Sequence, residues 1–196
     1  MKNARLLSLI LLCAFTISQP RSLIVDCSTF SLEVYNNIYK DTLIEKLVIK
    51  ECSEINKLPY RIEEMDLRSL HFYWVGNGSD SIDYAPIGNI SSLEELVLGP
   101  YGSISVFPST FRNLKNLKII DLRLTDVKKI PNWIYYMEKL EEINISMTEV
   151  SDLPINSLKR LKHLMVVNIE DSNVTEDYLK DNYVVQKLEG VKIIGP

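Results

Sequence analysis

An α/β solenoid is the fold class this sequence predicts, and three observations predict it. One apolar triplet, at offsets 0, +3 and +5, recurs along the chain. It reads Ile44, Leu47, Ile49; Leu67, Leu70, Phe72; Leu93, Leu96, Leu98; Leu117, Ile120, Leu122; Leu140, Ile143, Ile145; Leu164, Val167, Ile169; and Leu188, Val191, Ile193. The starts are 23 to 26 residues apart, and a fixed period of that size marks stacked repeats. Offsets +3 and +5 share one face of an extended chain, so each triplet is a strand with its apolar side turned inward. Finally, Leu58-Pro59, Phe107-Pro108, Ile130-Pro131 and Leu153-Pro154 follow four of the triplets. Proline suits the first turn of a helix, where its missing N–H costs nothing. These dipeptides therefore open short return segments, helices or 3₁₀ turns, as in NWIYYMEKL and INSLKRLKHL. Stacking sets the strands side by side as a parallel sheet.

The elements follow in order. Residues 1–18 read as a secretory signal peptide: Lys2 and Arg5 precede an apolar run from Leu6 to Ile17, and Thr16 and Ser18 are small enough for a cleavage pair. The run falls short of the roughly 20 residues a spanning helix needs; an uncleaved N-terminal anchor is the other reading. The expected product is soluble, secreted and extracellular, starts near Gln19, and has no membrane association once the signal is removed. Residues 19–43 do not fit the repeat. A first repeat needs its outer apolar face covered, so this stretch reads as an N-terminal cap, partly strand at Leu23 to Val25. Residues 44–196 hold six repeats and a terminal strand. The turn residues of WVGNGSDSIDYAP, at 74–86, predict an irregular loop. Thr175, followed by Glu176 and Asp177, predicts an N-capped helix over 175–187, and 188–194 reads as the last strand, its edge open.

The form LxxLxL, then a turn, then I/L-P and two further apolar positions, resembles the leucine-rich-repeat family. The resemblance covers 44–194. It implies that the parallel sheet lines a concave face, with the short helices or 3₁₀ turns on the convex side. In that family offset +8 is often Asn, which bonds neighbouring turns. Here it is Cys52, Val75, Tyr101, Thr125, Thr148 and Ser172. Thr125, Thr148 and Ser172 can still bond a backbone group, whereas Val75 and Tyr101 cannot.

Offsets +2, +4 and +6 point away from the core. Row +2 is Lys46, Ser69, Glu95, Ile119, Glu142, Val166 and Gly190; row +4 is Val48, His71, Val97, Asp121, Asn144, Asn168 and Lys192; row +6 is Lys50, Tyr73, Gly99, Arg123, Ser146, Glu170 and Ile194. His71, Tyr73 and Val97 form a mixed aromatic and apolar area bordered by Asp121 and Arg123. These five are the expected protein-binding residues of the concave face. No catalytic motif, metal-ligand spacing or phosphate loop occurs, so no enzyme activity, cofactor or metal is expected. His71 and His163 fall in different layers, and Glu94-Glu95 and Glu141-Glu142 turn to opposite sides. The chain carries a net charge of -4, and losing Lys2 and Arg5 makes it more negative, which argues against a nucleic-acid partner.

With Cys13 in the signal, Cys27 and Cys52 remain. An oxidising compartment suggests a bridge between them, and a buried free thiol at offset +8 is the alternative. The sequons at Asn77, Asn89 and Asn173 are expected glycan acceptors; a fourth, at Asn144, lies in mid-strand. The functional expectation is a secreted protein that binds a protein ligand. A secreted effector or inhibitor of an enzyme and an intracellular signalling scaffold are the alternatives.

Overall fold

The structure is a computed structural model. It describes residues 21–29, 36–41, 43–52, 55, 57–75, 82–102, 104–181 and 188–195. The expected signal peptide, the Asn77 sequon with the loop around it at 76–81, and the second part of the expected helix, 182–187, lie outside the described residues.

Among the described residues eight strands form one sheet, parallel and in chain order: β1 Ser22–Asp26, β2 Lys46–Cys52, β3 Ser69–Val75, β4 Glu95–Val97, β5 Ile119–Asp121, β6 Glu142–Asn144, β7 Val166–Asn168 and β8 Lys192–Ile194. From β2 to β7 equal offsets pair, as in Leu47 with Leu70, Leu96 with Ile120, Ile120 with Ile143 and Ile143 with Val167. The +3 and +5 side chains thereby stack into two continuous buried rows, and Phe72, Leu98, Leu122 and Ile145 are fully covered. β1 comes from the expected cap and pairs with β2 along its length. The Cys27 N–H donates to the Lys50 carbonyl at 3.1 Å. That places Cys27 beside Cys52, with Cα atoms 4.9 Å apart and the sulfurs bonded.

The returns are short. Among the described residues they are 3₁₀ turns at Ile62–Glu64, Ala85–Asn89, Ser109–Asn113 and Asn132–Tyr136, and one helical turn, α1, at Ile155–Leu158. Pro108, Pro131 and Pro154 stand one residue ahead of these elements rather than inside the first turn. Their carbonyls accept the N–H groups of Phe111, Ile134 and Ser157 at 2.8–3.0 Å. Proline thus supplies the acceptor that starts the turn and brings no N–H that would need a partner. At offset +8, Thr125 and Thr148 donate their hydroxyls to the carbonyls of Leu122 and Ile145, at 2.6 and 2.7 Å. A buried hydroxyl closes each turn in the place where the family resemblance implied asparagine. Gly99 is forced by crowding: a Cβ there would lie 1.9 Å from the Arg123 carbonyl oxygen.

The C-terminal end departs from expectation in its last strand, after a helix that starts where the sequence places it. Helix α2 occupies Glu176–Asp181, and the Tyr178 N–H reaches the Thr175 hydroxyl at 3.1 Å, as an N-cap requires. The last strand, however, is Lys192–Ile194 and not 188–194, and Val167 pairs with Ile193. Lys192 and Ile194 therefore occupy rows +2 and +4, two residues later than the apolar triplet implies. Gly190 at φ +82° and a bond from the Val191 N–H to the Leu188 carbonyl form a turn that absorbs the difference. Leu188 is buried below the strand and belongs to the return.

Candidate functional site

The face of the sheet opposite the core carries the polar groups. On β3, alternation turns Ser69, His71 and Tyr73 to that face; on β4 it turns Glu95 and Val97 there, and the pairing of Ser69 with Glu95 and of His71 with Val97 brings the two sets together. Ser69 donates to Glu95 Oε2 at 2.6 Å. His71 Nε2 lies 3.0 Å from the same oxygen and 3.0 Å from Ser69 Oγ. Tyr73 OH lies 2.9 Å from His71 Nδ1. One proton arrangement satisfies all four groups: Tyr73 donates to Nδ1, Nε2–H donates to Glu95, and Ser69 donates to Glu95. Lys46 Nζ stands 4.0 Å from Glu95 on the other side.

This is not a nucleophile relay. Serine and carboxylate meet the same imidazole nitrogen, and the serine proton already points at the carboxylate. In that arrangement neither imidazole nitrogen is free to take the Ser69 proton, since Nδ1 accepts from Tyr73 and Nε2 carries its own hydrogen. The cluster is instead a rigid, internally bonded patch. Burial lowers the His71 pKa against the opposing pull of Glu95. Burial raises that of Glu95, but its bonds to Ser69 and His71 outweigh this and hold it below the usual carboxylate range. Burial also pushes the Tyr73 phenol up, with the Glu95 charge adding to it.

The His71 shift has a signed consequence. Below about pH 6.5 the unfolded chain takes a proton at His71 that the folded chain resists. This stability is present above that pH and is lost as pH falls through the folded value. Urea midpoints should therefore decline from pH 7.5 to 5, and His71→Gln should flatten that part of the profile. An unchanged profile in the variant would assign the decline to other groups.

Next to the cluster, Asp121, Asn144 and Asn168 follow one another in row +4. Each ends its strand and accepts, through Oδ1, the backbone N–H two residues further on, at 3.0–3.1 Å. Burial raises the Asp121 pKa, against the Arg123 N–H and guanidinium, which lies 2.9 Å away. Along one end of the strands, offset +1 reads Glu45, Arg68, Glu94, Lys118 and Glu141. Successive N–H groups bond the preceding member's carbonyl, and Glu94 bridges Arg68 at 2.8 Å and Lys118 at 2.7 Å. Glu94 and Glu95 thus serve different partners.

No family model matches the chain. Among curated proteins, the chain is 25% identical to human Toll-like receptor 1 over 195 residues, which is 91% of this chain and 24% of the receptor. It therefore spans about a quarter of that relative's length. Among solved structures, an internalin of Listeria monocytogenes superposes with a TM-score of 0.61 at 19% identity, over 81% of this chain and 43% of the internalin. TLR13, in its complex with ssRNA13, superposes with a TM-score of 0.65 at 17% identity, over 90% of this chain and 25% of TLR13. Both likenesses match the eight parallel strands in chain order. The fold is a leucine-rich-repeat solenoid.

On the concave face of this leucine-rich-repeat solenoid the five expected binding residues are neighbours, but they are not equally accessible. Arg123 is exposed and Tyr73 half-buried; His71, Val97 and Asp121 are 6%, 5% and 7% exposed. Parallel strands crowd equal offsets together, so row +4 packs sideways into a ladder even on the solvent side. Asn144 is caught in that ladder and buried, while Asn89 and Asn173 are exposed. Sequence reasoning missed Ser69 and Glu95 as site residues. Their signal was present: they are adjacent in row +2, flanking a histidine in row +4. Among the described residues no helix is long and apolar enough to cross a membrane, and no group of three ligating side chains could hold a metal.

Proposed function

We propose that this is a secreted leucine-rich-repeat protein that binds a protein partner through the concave face of β3 to β5. The observation that carries the reading is the Ser69–His71–Glu95–Tyr73 cluster beside Arg123. It presents a half-covered tyrosine and an exposed guanidinium on a support fixed by hydrogen bonds. Tyrosine and arginine on a preorganised surface are where interface energy concentrates. The signal-like residues 1–18, the Cys27–Cys52 bond and the exposed sequons at Asn89 and Asn173 support secretion. The acidic net charge weighs against a phosphate backbone as ligand, even though the TLR13 structure holds an RNA.

N-terminal sequencing of the exported chain tests secretion, and cleavage near Gln19 is expected. For the surface, a partner recovered by crosslinking in the medium should lose about 2 kcal/mol of binding with Tyr73→Ala and also weaken with Arg123→Ala. Lys159→Ala, on the convex side, should be neutral. Affinity that survives both concave changes and falls with convex ones would overturn the reading.

A further inference from the structure

Six repeats place a residue at positive φ at or a few residues beyond the end of the strand, where the chain turns away from the sheet. They are Glu51, Trp74, Tyr101, Leu124, Met147 and Asp171, all with φ between 53 and 63°. Side chains adopt this conformation at a cost, least for Gly and Asn, and the chain uses neither here. The four central positions are large and apolar. Trp74, Tyr101 and Met147 are 50%, 61% and 46% exposed, and Leu124 is half-buried. Neither backbone conformation nor core packing accounts for these choices.

The four form one line. The Trp74 and Tyr101 rings are 6.1 Å apart. The Tyr101 N–H bonds the Leu124 carbonyl at 2.9 Å. Leu124 and Met147 share the wall of a shallow depression of about 390 Å³ that Asp126, Glu149 and Asp171 border. Glu51 and Asp171 close the two ends of the row, so the stripe is apolar along its length and acidic at its rim. Lys128 is paired with Glu149 at 3.0 Å and does not change that sign.

The spacing selects the shape of an occupant. Successive repeats are about 4.8 Å apart. Helix residues at i, i+3 and i+4 have side chains about 5–6 Å apart, whereas same-face residues of an extended peptide are separated by about 6.6 Å. We propose that this stripe is a second docking surface, distinct from the concave face, for a basic amphipathic helix of a partner. Three or four apolar anchors of that helix lie along Trp74, Tyr101, Leu124 and Met147, with Lys or Arg against Asp126 and Asp171. A second copy of this chain is a poorer fit, because it brings acidic rim against acidic rim.

The test uses two synthetic 18-residue helical peptides with the same leucine stripe, one flanked by lysines and one by glutamates, titrated calorimetrically into the full chain. The lysine peptide should bind at least tenfold more tightly. Tyr101→Asn with Met147→Asn should weaken it tenfold or more and leave the thermal midpoint equal or higher, since asparagine accepts positive φ more readily. Asp126→Lys with Asp171→Lys, which leaves the apolar row intact, should reverse the preference between the peptides. Equal binding of the two peptides, unchanged affinity in the asparagine variant, or a lowered midpoint there would overturn the proposal. So would a dimer in sedimentation that the asparagine variant abolishes, which would assign the stripe to self-association.

Discussion

Leu122→Ala lowers the free energy of unfolding by about 2–5 kcal/mol, while Arg123→Ala, the next residue along, costs less than about 1 kcal/mol. Leu122 is fully buried at offset +5, in the row that continues with Ile145. Truncation removes its transfer free energy and leaves a cavity that the flanking repeats cannot close, because their backbones are tied on both sides. The Leu122 N–H bonds the Asn144 carbonyl at 2.8 Å, and the Leu122 carbonyl accepts the Thr125 hydroxyl at 2.6 Å. Arg123 points to the other face and is exposed, and its pair with Asp121 is screened on the guanidinium side. Asp121 also keeps the backbone N–H of residue 123 when the side chain is cut back. Thermal melts of the two variants check this, and similar drops would place the strand register in error.

Removing the Cys27–Cys52 bond is expected to cost a comparable amount. The cysteines are 25 residues apart, and closing a loop of that size restrains the unfolded chain by about 3.5 kcal/mol in the loop-entropy account. The bond also ties β1, the cap strand, to the first repeat. Cys27→Ser with Cys52→Ser should therefore lower the melting temperature and expose the outer side of β2 to proteolysis. Thiol titration of the protein in denaturant without reductant should find none of these sulfurs free. Two reactive thiols per chain would instead favour the buried-thiol alternative for Cys52.

Much of the architecture was legible because its cause is periodic. The +3 and +5 positions are apolar in every repeat, and this alone sets strand direction, pairing and the inner face from β2 to β7. It failed at β8, where Leu188, Val191 and Ile193 imitate the triplet while Gly190 shifts the pairing by two residues. An apolar pattern does not encode a turn of the same spacing. The outward rows named His71, Tyr73 and Arg123 as neighbours, but not how far His71, Val97 and Asp121 are covered. Exposure on a parallel sheet depends on what the next strand places at the same offset, as Glu95 does beside Ser69. The positive-φ row was invisible, because Trp, Tyr, Leu and Met carry no signature of that conformation.

The alternating charges at offset +1 act as a parity check on the number of repeats. Glu45, Arg68, Glu94, Lys118 and Glu141 each bond the backbone of the next, and their signs alternate without a break. Each exposed pair is worth only about 0.2–1 kcal/mol, so the row adds little to overall stability. Its weight lies in which repeats tolerate being neighbours. Excising the single repeat that carries Lys118 would set Glu94 against Glu141, whereas excising two consecutive repeats would leave opposite signs in contact. A chain of this kind should therefore lengthen or shorten by duplication more readily in pairs of repeats than one at a time.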